Sequence, residues 1–141
     1  MTTTRSIDTT TAPPATGTAA LRVLALGAAV AVVNLAVSGL GSLAGADWVV
    51  DNGGTLQDVP VGAVVAASFV PLGVAAVVLF LAAPRRSWVS RAWAPVVVVI
   101  GLLSLLGLTG AADAATGVSL GVMHLVVAGV AAFVLPGRLA R

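Results

Sequence analysis

Four long apolar runs, separated by short polar stretches, organise this chain: about 20–43, 60–83, 93–110 and 117–135. A helix rising 1.5 Å per residue needs roughly 20 apolar residues to cross the hydrocarbon core of a bilayer, and each run is close to that length or beyond it. Proline and glycine punctuate the pattern. Asn52-Gly53-Gly54 marks a turn between the first two runs. Pro60 stands in the first turn of the second run, where a missing N–H is harmless, and Pro95 stands in the first turn of the third. Pro71 falls inside the second run, which predicts a kink and a carbonyl without its helical partner one turn earlier. Pro84 stops the second run and Pro136-Gly137 ends the fourth. The short connections after the second and third runs make those neighbours antiparallel. The expectation is an all-α membrane protein, an antiparallel four-transmembrane-helix bundle over 19–137. A Thr-, Ser-, Ala- and Pro-rich tail over 1–18 has little to bury and is expected to be disordered, and 138–141 is a short basic tail. A cleaved signal peptide ending near Ala44-Gly45-Ala46 competes for the first run, but that run exceeds the usual apolar core of about 7–15 residues.

Charge then orients the bundle. Arg5 and Arg22 flank the start of the first run, Arg85, Arg86 and Arg91 lie between the second and third, and Arg138 and Arg141 follow the fourth. The other two connections hold Asp47, Asp51, Asp58 and Asp113 and no cation. Cytoplasmic loops retain Arg and Lys, so both termini and the middle loop are expected in the cytoplasm, with the chain in the plasma (inner) membrane. Trp48, Trp88 and Trp93 are expected as interfacial anchors.

Composition narrows the chemistry. Hydrophobic residues make up 59% of the chain and charged residues 9%, against roughly 25% charged in soluble domains, so lipid must serve as solvent for most of it. Membrane lipid is therefore the expected partner. The net charge is only +2 and the Arg residues flank apolar runs rather than forming a stripe, which argues against nucleic acid. At most they meet anionic headgroups. Cys is absent, excluding disulfides, thiolate metal sites and thiol redox chemistry. A lone His without Cys or Glu partners is a poor metal site, and Gly53-Gly54 is too short for a phosphate loop, so neither metal nor cofactor is expected.

Few polar side chains interrupt the runs. Asn34, Ser68, Ser104 and His124, one from each, fall roughly 9–14 Å below the same boundary when counted at 1.5 Å per residue. An unpaired amide or imidazole facing lipid costs several kcal/mol, about 2–7 by transfer, so these groups should point inward. Asn34 and Ser38 share a helix face, as do Asp113, Gly117, Leu120 and His124 if the fourth helix starts early enough; Asp113 would then stand at the mouth of a pocket with His124 below. The plainer reading makes His124 and Asn34 interhelical hydrogen-bonding elements, and lets Ser68 and Ser104 bond their own helix carbonyls. Ser104 as nucleophile with His124 as base and Asp113 as orienter is chemically conceivable, but no motif surrounds it. Gly27/Ala31, Gly62/Ala66, Gly107/Ala111 and Gly117/Gly121 are small pairs at four-residue spacing that permit close helix contact, in packing or in a homo-oligomer.

Ser104, Asp113, Thr116, Leu120 and Met123-His124-Leu125-Val126, together with Asn34, the acidic first loop and the basic second loop, resemble an actinobacterial family of small four-helix integral membrane proteins classed as a domain of unknown function. The resemblance covers roughly 20–137 and implies the fold without an activity.

The leading functional expectation is a non-enzymatic membrane protein. Asn34, Ser68, Ser104 and His124, with Asp113 at the entrance, would receive a small lipophilic molecule or a partner helix. Two alternatives stand beside it. One is an intramembrane enzyme acting on a lipid or isoprenoid, with His124 as acid/base and Asn34 as orienting group. The other is a structural subunit with a collapsed interior and a free small-residue face.

Overall fold

The computed structural model describes residues 16–82 and 86–139, without the side chains at 16, 86–88 and 90. Most of the tail expected to be disordered, Pro84 and Arg85, the side chain of Trp88, and the last two residues therefore lie outside the described residues. The chain forms α1 (Thr16–Leu43), a hairpin of β1 (Val49–Asp51) and β2 (Leu56–Asp58), α2 (Val61–Ala82) and α3 (Arg86–Ser104). A 3₁₀ segment (Leu105–Gly110) leads to α4 (Ala114–Gly129), whose path continues through a π-helical turn (Val130–Val134) into α5 (Leu135–Leu139). Four segments are long and apolar enough to cross a membrane: Gly17–Leu43, Val61–Ala82, Arg91–Gly110 and Ala114–Leu139. Pro71 lies inside α2 and Pro95 inside α3, both within continuous helix.

The burial pattern is the reverse of a soluble protein's. Large apolar side chains cover the outside of every span; Leu24, Val77, Ile100 and Phe133 are 56–69% exposed. Polar Asn34, Ser68, Thr116 and Ser119 are buried. Each helix hides only a narrow stripe. On α1 it is Gly27, Val30, Ala31, Asn34 and Gly41, and on α2 it is Val64, Ser68 and Leu72, at the three- and four-residue spacings of one helix face. Gly27 sits under the Phe69 ring, which a Cβ would strike, so α1 and α2 approach closely there. Gly41 similarly receives Ser119 and the Trp48 ring, and Gly101 of α3 lies against Ala128 of α4. Gly117 and Gly121 face the chain's own Ala111 and Leu108, whereas Gly62 and Gly107 meet nothing. Val30, Leu72 and Ala131 form the small apolar core.

The order of helices around the bundle is α2–α1–α4–α3. α1 packs on α2 and α4, α3 packs on α4, and α2 and α3 scarcely meet. The bundle is therefore closed on three sides and parted along the fourth.

At one end the hairpin is fastened across the α3–α4 turn. Its strands pair Val49 with Asp58, Val50 with Gln57 and Asp51 with Leu56, around a turn in which Gly53 and Gly54 take positive φ. The Gly54 N–H donates to Asp51 Oδ1 at 2.6 Å, and the Asn52 N–H to the Thr55 carbonyl at 2.9 Å. β1 also bridges Ala111, and the Ala112 N–H donates to the Val49 carbonyl at 3.0 Å. Trp48 enters the hairpin at φ 56°, a left-handed conformation costly for a side chain of its size. Three bonds hold it there: its N–H to Thr116 Oγ1 (3.0 Å), its indole N–H to Ser42 Oγ (2.9 Å), and its carbonyl from the Val59 N–H (2.7 Å). At the opposite end Arg22 donates to the Arg138 carbonyl at 3.0 Å, joining the start of α1 to α5.

Candidate functional site

The parted fourth side is a trough of about 610 Å³, within the roughly 300–1,000 Å³ of small-molecule pockets. α2 supplies one wall from Ala63 to Val78, and α3 the other from Trp93 to Ser104. α4 and the π turn form the floor from Leu120 to Ala131, and Asn34 of α1 shows through behind them. Fifteen residues separate Ala63 from Val78, which makes the trough roughly 22 Å long. Nearly all of its surface is aliphatic, and among the described residues no Asp or Arg lines it.

Its polar groups gather toward the hairpin end. Asn34 is 1% exposed, and its Nδ2 donates to Ser68 Oγ at 3.0 Å. The Ser68 hydroxyl spends its proton on the Val64 carbonyl at 2.9 Å, so its oxygen must accept from the amide, which fixes the amide's orientation. Asn34 Oδ1 is left as the buried side-chain polar atom without a partner among the described residues. His124 Nδ1 lies 2.8 Å from the Leu120 carbonyl. A carbonyl only accepts, so Nδ1 carries the proton and Nε2 of the neutral ring keeps a free lone pair. Ser104 is exposed on the α3 wall and donates to the Gly101 carbonyl at 2.6 Å. Pro71 offers no N–H to the Ala67 carbonyl four residues back, and both residues line the trough.

Thus Asn34, Ser104 and His124 line one cavity, and Ser68 lies just behind it as the partner of Asn34. Asp113 stands elsewhere. It is the N-cap of α4: Oδ1 accepts from the Thr116 N–H at 2.7 Å, and Oδ2 accepts from the Thr116 hydroxyl (2.5 Å) and the Asp47 N–H (3.1 Å). Chiefly the Thr116 hydroxyl, then the Thr116 N–H, holds this carboxyl below the usual carboxylate range, with the Asp47 and Ala115 N–H groups adding to the effect and desolvation opposing it. Asp113 therefore secures the hairpin to α4, and Thr116, fully buried, is its co-fastener. The signal for Asp113 was available: Asp before an apolar helical run is a strong N-cap. The Ser104, His124 and Asp113 side chains each bond elsewhere and form no relay. Among the described residues no group of three His, Asp or Glu could hold a metal.

Trp93, expected from its position as an interfacial anchor, is a further lining residue. Its indole lines the trough and donates to the Ala131 carbonyl at 2.9 Å. In the π turn the Leu135 N–H reaches the Val130 carbonyl, five residues back. The next donor in that register would be Pro136, which has none, and Trp93 fills the vacancy at Ala131.

Architecture and site together define a small four-helix bundle of membrane-spanning length with a side-opening apolar cavity. The chain belongs to the family of unknown function DUF6069, whose model matches residues 13–141. No curated protein and no solved structure matches it.

Proposed function

We propose that this protein lies in the plasma membrane with both termini cytoplasmic and binds a neutral lipophilic molecule in the trough between α2 and α3. The observation that carries the reading is the trough itself: about 610 Å³, apolar along its length, with Asn34, Ser104 and His124 as its polar lining toward the hairpin end. Neutrality follows from the absence of any Arg among its described lining residues, since a phosphate or carboxylate held in hydrocarbon requires a paired charge. A partner helix is a poorer fit, because the volume is a fraction of what a multi-turn helix about 10 Å across displaces.

The test is native mass spectrometry of the full chain released from lipid nanodiscs, comparing wild type with Ala67→Phe. The variant places a ring in the trough from a position exposed on α2 and leaves the α1–α2 contact alone. Retained small-molecule mass on the wild type, lost from a folded variant, is the expected result. Equal retention by both, or none on either, removes the reading.

A further inference from the structure

The hydrogen-bond inventory of the trough is lopsided. The described side-chain donor atoms on its walls each bond the protein already: Asn34 Nδ2 with one of its two N–H groups to Ser68, His124 Nδ1 to Leu120, Ser104 to Gly101, and Trp93 to Ala131. Apart from the second Asn34 N–H, what remains are acceptors. Asn34 Oδ1 is buried and unpartnered, Nε2 of a neutral His124 ring carries a lone pair, and the Ala67 carbonyl lacks its α-helical donor because Pro71 follows four residues later. A buried acceptor with no donor is costly and is normally matched by something.

We infer that the occupant is a lipophilic alcohol or phenol: a neutral molecule with one hydroxyl that donates into the Asn34–His124 end of the trough, and an unbranched or isoprenoid body lying along α2 toward Val78. This rests on the ligand-binding reading above and specifies the chemistry of that site. Carbonyl compounds, ethers and esters bring only acceptors and leave Asn34 Oδ1 unmatched. Charged headgroups meet no counter-charge among the described lining residues. A hydroxyl on a long apolar body satisfies both halves of the trough.

The experiment uses the full chain in phosphatidylcholine nanodiscs and three probes of one chain length: dodecanol, dodecyl methyl ether and dodecanal. Binding of radiolabelled dodecanol is measured directly and in competition with the other two. The alcohol is expected to bind about tenfold tighter than the ether and the aldehyde, equivalent to about 1.4 kcal/mol. Asn34→Leu keeps the volume, deletes the free acceptor, and should bring the three probes to within about twofold of one another. If that variant does not fold, His124→Phe serves, with a reduced preference expected. Equal affinity of wild type for all three probes overturns the hydroxyl assignment while leaving the trough as a lipophilic site. Failure of all three probes to bind, or dodecanol bound equally by Ala67→Phe, overturns the ligand-binding reading and this assignment with it.

Discussion

The indole N–H of Trp93 donates to the Ala131 carbonyl at 2.9 Å and stands in for the N–H that Pro136 lacks. A backbone defect on one span is thus repaired by a side chain on another, and the repair fixes α3 against the floor of the trough. Replacing Trp93 with Phe leaves the carbonyl unmatched in an apolar setting and is expected to destabilise the bundle by about 1–3 kcal/mol. Pro136→Ala supplies the missing donor and should recover part of that loss. A double-mutant cycle on unfolding in mixed micelles measures the coupling; strict additivity would refute it.

The fastening of the hairpin depends on an ionised Asp113. Its folded carboxyl titrates below the usual range, so its contribution to stability is complete above the ordinary carboxylate range. That contribution is lost as pH falls through the depressed folded value. Acidification should therefore raise hydrogen exchange at the Asp47 and Trp48 amides ahead of the helices. Asp113→Asn should show faster exchange at neutral pH and little further change on acidification.

Gly27 is required by the Phe69 ring rather than by backbone conformation, since a Cβ there would strike the ring. Gly27→Val is expected to cost about 1–3 kcal/mol through overpacking. Phe69→Ala in the same chain should relieve much of the clash, which unfolding of the single and double variants would show. Gly62→Ala, by contrast, meets open space and should be close to neutral.

Because the chain has no Cys, orientation can be read from single introduced thiols. Gly53→Cys, in the hairpin turn, should react with an impermeant maleimide added to intact cells. Arg91→Cys, at the Arg-rich end, should react only after permeabilisation. The opposite pattern would invert the proposed topology.

Much of the fold was legible because lipid imposes a one-dimensional rule: apolar length gives helices, and Pro and Gly give their ends. The 3₁₀ ending of the third span was hidden, as Leu105–Gly110 is apolar enough to continue an α-helix. So was the pairing of β1 with β2, whose three-residue strands carry too little pattern to read. Depth along each span was also legible, and Asn34 and Ser68, placed at one level by counting residues, are hydrogen-bonded. What counting cannot supply is rotation about each helix axis. All-round apolar spans give no face preference, so neither the α2–α1–α4–α3 order nor the inward turn of Trp93 could be read. Asp113 illustrates the same gap: its helical phase with His124 suggested a pocket mouth, yet two local donors on Thr116 claim its carboxylate first.

The seam between α2 and α3 opens sideways, not upward. Any guest would arrive by lateral diffusion within the leaflet and would already have left water before meeting the protein. Occupancy would then follow mole fraction among lipids rather than aqueous concentration. A modest intrinsic preference for one hydroxyl over its surroundings would be enough to enrich a scarce compound at this seam.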